Sequence, residues 1–119
     1  MGRRSRQRGR AEKLDVPTAD YPDEAGNVLT LRCALTAKTR AQYAQVLHGT
    51  TLSQEDAWNR AVEFLFERLA VRWTISGVTT EGQRDLLLRL RAATREERRF
   101  VRDALRAHCA EWFPDVQAP

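Results

Sequence analysis

Few residues in this chain have the types and spacing that chemistry requires. His108 and Cys109 are neighbours, and imidazole and thiolate are both metal ligands. On a helix, however, adjacent side chains point about 100° apart, and no second ligand pair stands near them. The other histidine, His48, is far away in sequence. Glu63 and Glu67 share a helix face, as paired catalytic carboxylates would. They fall on the side expected to meet solvent, where desolvation cannot tune a carboxylate's pKa. Gly77 and Gly82 are isolated, with no Gly-Lys-Ser/Thr behind them to make a phosphate-binding loop. No nucleophile has a recognisable elbow or a base partner in sequence. The residues therefore predict no catalytic centre, no metal site and no cofactor. Arg91, Arg95, Arg98, Arg102 and Arg106 recur at helical spacing, which could track phosphates. Glu96, Glu97 and Asp103 interleave with them, and Arg99–Asp103 is spaced for an (i, i+4) surface bridge, so this pattern predicts a solvated face.

The totals fit one domain. The chain has 119 residues, 42% of them apolar and 30% charged, enough to bury a core beneath a well-solvated surface. Its net charge of +4 is unevenly placed. Residues 1–13 carry Arg3, Arg4, Arg6, Arg8, Arg10 and Lys13 against Glu12, whereas the remainder is close to neutral. Lacking apolar periodicity, residues 1–13 are expected to be a disordered basic tail. The five arginines could act as a salt-sensitive arm on nucleic acid, without sequence recognition, or merely solubilise the chain. Residues 14–119 are expected to be a single helical domain. No secretory h-region and no membrane-length apolar run is present, which predicts a cytoplasmic protein. Cys33 and Cys109 are expected to be core fillers rather than a disulfide.

The element around which a fold can be organised is Ala57–Trp73, AWNRAVEFLFERLAVRW. Trp58, Ala61, Val62, Leu65, Leu69 and Trp73 fall along one helical face, and Asp56, Asn59, Arg60, Glu63 and Glu67 along the other. Ahead of it, Val28–Cys33 alternates as a strand and should pair with Thr18–Tyr21 through the Ala25-Gly26-Asn27 turn. The Leu29, Leu31 and Cys33 face should then lie on the helices. Thr36 is placed to cap a first helix through Leu47, ended by Gly49, and Ser53 to cap the central one after the Thr50–Leu52 connector. The segment TISGVTTEG after Trp73 predicts a loop, followed by a third helix over roughly Glu81–Ala92. Thr94-Arg-Glu-Glu97 is a capping box opening a fourth helix to about Trp112, with Phe100, Val101, Ala104, Leu105, His108 and Trp112 inside. Pro114 should stop that helix, and the last residues should fray. The expected fold is mainly α: about four helices packed around a long central helix, with a short N-terminal β-hairpin.

A possible binding surface emerges from the angles on the central helix. With Trp58 at about 0°, Phe64 falls near 240°, Val71 near 220° and Ala57 near 260°. Ala57, Phe64 and Val71 would form a second apolar stripe, repeated every seven residues. It is either covered by the hairpin or first helix, or partly open to a partner helix or to self-association.

With these elements placed, the chain resembles the tail assembly chaperones of long-tailed bacteriophages. The resemblance lies in the opening hairpin YPDEAGNVLTLRCAL, the central helix and tryptophan in EFLFERLAVRWTISG, and the loop and leucine helix of TTEGQRDLLLRL. It spans roughly Tyr21 to His108 and includes a Trp-x-x-x-Gly after the long helix. The arginine-rich start and the FPDVQAP end have no counterpart in that family. The resemblance implies a non-enzymatic protein that coats the tape measure protein and helps recruit tail tube subunits. The alternative reading is a small nucleic-acid-associated protein using its basic N-terminal arm.

Overall fold

The computed structural model describes residues 16–48 and 54–119. The basic tail, Gly49, the Thr50–Leu52 connector and the Ser53 cap lie outside these residues. The elements run β1 (Thr18–Pro22), β2 (Val28–Arg32), α1 (Ala37–His48), α2 (Gln54–Leu69), β3 (Ala70–Ile75), β4 (Val78–Glu81), α3 (Gln83–Arg91) and α4 (Arg95–Trp112). The strands form one antiparallel sheet in the order β1-β2-β3-β4. Helix takes 56% and strand 20% of the described residues. The expectation of a mainly α fold with a lone hairpin is therefore corrected to an α+β fold with a four-stranded sheet.

The N-terminal hairpin forms as the alternation requires. Tyr21 pairs with Leu29 and Thr18 with Arg32. The turn between the strands is held by Asp23, whose carboxylate accepts from the Ala25 and Asn27 N–H groups at 2.8 and 2.9 Å. Leu29, Leu31 and Cys33 are buried, as their shared face predicts.

The central helix stops four residues early. The chain passes from Leu69 directly into β3, and the segment expected to be a loop is a second hairpin, with Ile75 opposite Val78. Ser76 and Gly77 make its two-residue turn, both at positive φ (51° and 79°), the geometry that matches the right-handed twist of the strands. The Ser76 N–H donates to Asn27 Oδ1 at 2.9 Å, joining the two hairpin turns. Val71, Thr74, Ile75 and Val78–Thr80 supply the β-branched side chains that favour strands.

β3 pairs with β2, setting Trp73 opposite Leu29, with an irregularity between Thr30 and Leu31. Alternation puts Tyr21, Leu29, Trp73 and Thr80 in one row on the helix-covered face. The next row, Asp20, Thr30, Arg72 and Glu81, points the other way and is polar, with the Thr30 hydroxyl donating to Asp20 at 2.6 Å.

One core lies between the sheet and the helices, joining Leu29, Leu31 and Trp73 to Tyr43 of α1, Leu65 and Leu69 of α2, Leu86 of α3 and Leu105 of α4. Phe66, absent from the expected inner face, is fully buried because the turn into β3 brings Trp73 edge-on to its ring at 5.9 Å. Trp58 and Val62 are only half-buried.

α4 opens with the expected capping box. The Glu97 N–H donates to Thr94 Oγ1 at 3.1 Å, and the Thr94 N–H donates to Glu97 Oε1 at 2.9 Å. Trp112, expected inside, is exposed, and Cys109 is buried instead. The C-terminal segment also departs from expectation. Phe113 and Pro119 are buried, the Tyr43 hydroxyl donates to the Gln117 carbonyl at 2.5 Å, and Arg40 pairs with Asp115 at 2.8 Å. The segment packs on α1 rather than fraying.

Leu65 is wholly enclosed by this core. Leu65→Ala should therefore cost roughly 2–5 kcal/mol through lost burial and cavity formation, measured by urea unfolding. A near-neutral effect would place that helix face outside the core.

Candidate charged groove and the buried histidine clamp

His108 is fully buried on the inner face of α4, beneath the N-terminal hairpin. Its Nε2 lies 2.6 Å from the Arg32 carbonyl and its Nδ1 2.6 Å from the Tyr21 hydroxyl. A carbonyl can only accept, so Nε2 carries the proton and the neutral ring accepts from Tyr21 at Nδ1. The Tyr21 and Phe113 rings meet the imidazole edge-on at 5.4 and 5.6 Å. Both ring nitrogens are used in tying α4 to β1 and β2. Burial pushes the His108 pKa below its ordinary 6.5, partly opposed by the Arg32 hydrogen bond, and burial chiefly raises that of Tyr21 to about 12. Neither shift produces a proton donor or acceptor poised at neutral pH beside an open site, so the constellation is read as a clamp. Cys109, next to it, is a free buried thiol pushed up to about 11 by burial, and Cys33 is also free and buried. Among the described residues, no group of three or more His, Cys, Asp or Glu side chains is arranged to hold a metal.

The sequence-predicted binding stripe is not brought together. Ala57 is buried in α2, Phe64 is half-buried, and Val71 stands on β3 rather than on the helix. The Phe64 ring lies 6.1 Å from that of Tyr43, and the Arg68 guanidinium sits over it at 5.1 Å. Tyr43 of α1 thus packs against Phe64, which stays half-buried. The heptad spacing that linked Phe64 to Val71 has no meaning across the helix-to-strand junction. Arg3, Arg4, Arg6, Arg8 and Arg10, the expected nucleic-acid arm, lie outside the described residues.

What the sequence did not reveal is a groove. The outward face of α2 and the N-terminal half of α4 confront each other across a cleft of about 820 Å³, closed at one end by the last turn of α3. One wall carries Arg95, Arg98, Arg99 and Arg102; the other carries Glu55, Asp56 and Glu63, with Arg60 among them. Val62 and Leu90 supply the apolar part of the lining. Arg91 bridges to Glu63 at 3.1 Å, and Arg98 donates to the Arg91 carbonyl at 2.7 Å, fixing the α3 end of the cleft. Arg60, Arg95, Arg99 and Arg102 make no ion pair among the described residues. The expected Arg99–Asp103 bridge does not form; Arg99 lines the groove instead. The Nε–H of Arg102 is buried and has no acceptor among the described residues. Both walls look like solvated helix faces in the sequence. The available signal was their opposite charge over corresponding helical turns, which acquires meaning only once the two helices are known to be neighbours.

The clamp has a pH signature. The unfolded chain protonates His108 near pH 6.5, whereas the folded chain resists protonation to lower pH. The unfolded state therefore binds more protons in that window, and stability falls with decreasing pH. The contribution is complete above about pH 6.5 and is lost progressively as the pH drops towards the folded value. His108→Ala should cost about 2–4 kcal/mol at neutral pH, because it opens a cavity and strips the Arg32 carbonyl of its donor. It should also flatten the pH dependence of the urea midpoint between about pH 7 and pH 5.5, measured against the wild type.

Among the described residues, no helix is long and apolar enough to cross a membrane. Comparisons with protein-family models, curated proteins and solved structures find no match to this chain.

Proposed function

We propose that this chain is a non-enzymatic binding protein that acts as a phage tail assembly chaperone, engaging the tape measure protein and aiding addition of tail tube subunits. The observation that carries the binding reading is the open, charged groove between α2 and α4, in which Arg95, Arg99 and Arg102 line one wall with no ion pair among the described residues. Such a surface suits a macromolecular partner. The groups with perturbed protonation, by contrast, are engaged in holding the fold.

The specific partner comes from the resemblance. Its three segments fall on β1–β2, on the α2–β3 junction, and on β4–α3. The Trp-x-x-x-Gly, Trp73 to Gly77, lies in β3 and its turn rather than after a helix, which moves that feature from a helix end to a hairpin.

Co-expression of the full chain with the tape measure protein of the same phage tests the proposal. The expected result is a soluble complex that survives affinity purification and size exclusion, with the tape measure protein insoluble when expressed alone. A tape measure protein that is equally soluble without this chain, and never co-purifies with it, would overturn the reading.

A further inference from the structure

We infer that the α2–α4 groove is a receptor for an acidic amphipathic helix of a protein partner, with Arg95, Arg99 and Arg102 receiving its carboxylates. This names the surface and the chemistry of recognition, and rests on the reading of the chain as a protein-binding chaperone.

The geometry of α4 supplies the first argument. Advancing about 100° per residue from Arg95, Arg99 falls near 40° and Arg102 near 340°, so the three share one face. They span about 10 Å of helix axis, two turns. Carboxylates at i, i+3 or i+4, and i+7 on a partner helix cover the same length and the same narrow face. Guanidinium is the donor suited to them, because its planar fork can bind a carboxylate with two parallel hydrogen bonds. None of the three is engaged by an acid among the described residues, and one buried N–H of Arg102 lacks an acceptor. The aliphatic side chains of Val62 and Leu90 give the apolar edge of such a helix a surface to cover.

Charge decides between possible occupants. Among the described residues, the lining holds six arginines against three carboxylates, a net of three positive charges. Two copies of the chain docked groove to groove would bring this excess together twice over, and an isologous interface cannot avoid that. A single-stranded nucleic acid would ordinarily be held by aromatic platforms as well as charge, and among the described residues the lining contains no aromatic side chain. Its phosphates would also face Glu55, Asp56 and Glu63 on the opposite wall. A helix with acids along one edge places them against α4, while its remaining surface meets α2 with neutral or basic residues.

The test uses the full chain and a fluorescein-labelled amphipathic peptide of about 20 residues, with glutamates at i, i+4 and i+7 beside a leucine stripe. A counterpart with lysine in place of each glutamate and a labelled oligothymidylate serve as comparisons. Arg95→Glu/Arg99→Glu reverses two exposed charges that have no ion pair among the described residues, and circular dichroism reports whether the fold is kept. Arg95→Ala/Arg99→Ala replaces it if the reversal lowers the melting temperature. Arg72→Glu, on the polar side of the sheet, is the control. Residues 1–13 are common to every protein compared, so differences between variants report on the groove.

The expected result is at least a tenfold weaker affinity for the glutamate peptide in the groove variant, unchanged affinity in the control, and tighter binding of the lysine peptide to the charge-reversed groove. Equal affinity of wild type and groove variant for the glutamate peptide would overturn the inference. So would oligothymidylate that binds the wild type more tightly than the peptide and is lost with the same arginines, which would assign the groove to nucleic acid. If the variant still co-purifies undiminished with the tape measure protein, the groove assignment fails and the chaperone reading stands. If the wild type never co-purifies with it, the chaperone reading fails, while the peptide measurements still decide the groove.

Discussion

The pairing of β2 with β3 is the constraint on which the rest of the structure depends. It joins an N-terminal hairpin to a second hairpin some forty residues later and sets Leu29 opposite Trp73 across the middle of the sheet. Neither hairpin would be stable by itself in water. Once joined, the two hairpins present one apolar row, and that row gives α2 a surface to bury Leu65, Phe66 and Leu69 against. The direct passage from Leu69 into Ala70 is part of the same constraint. With no loop between helix and strand, the direction of α2 is tied to the direction of β3, and Phe66 is brought against the Trp73 ring.

Around this centre, most buried polar groups have a partner, and the His108 clamp shows why that matters. A neutral imidazole in the core is costly unless both nitrogens are satisfied. Here Nε2 donates to the Arg32 carbonyl at the end of β2, and Nδ1 accepts from Tyr21 of β1. These directional bonds fix the approach of α4 to the sheet more narrowly than apolar contact could. The C-terminal segment is treated similarly, through Tyr43 to Gln117 and Arg106 to the Pro119 carbonyl at 3.1 Å. Because α4 is located by these contacts, its opposite face is located too. The arginines of its first two turns stand across from the acids of α2 at a separation that leaves an open groove. The clamp and the groove are thus opposite consequences of one helix placement. This also accounts for the absence of a surface bridge from Arg99 to Asp103: Arg99 lines the interhelical cleft.

Much of this was legible in the residues. The β1–β2 alternation, the Thr94–Glu97 capping box, α1 to within one residue of its end at His48 and the inner positions Val101, Ala104, Leu105 and His108 follow from periodicity and capping chemistry. The end of the central helix did not follow. A four-residue step keeps two side chains on the same face in a helix and also in a strand, so Leu69 to Trp73 fits both periods. The β-branched run and the Ser76-Gly77 turn were the available counter-signal, and they favour a hairpin with its two central residues at positive φ. The C-terminal segment was misjudged for a different reason: its partners, Arg40 and Tyr43, are more than seventy residues away.

The sequence by itself determined the first hairpin, α1 and the capped start of α4, because capping, turn and alternation depend on residues only a few positions apart. It also determined much of the inner face of α4, Val101, Ala104, Leu105 and His108, whereas the burial of Phe66 and the exposure of Trp112 were decided by tertiary contacts. Only the tertiary structure decided that two hairpins share one sheet, since strand pairing across some forty residues is selected by the fit of whole surfaces rather than by local preference. Likewise only the tertiary structure decided that two polar helix faces confront each other. A charged face is stable in water wherever it points, so its sequence carries no information about which other face will stand opposite it.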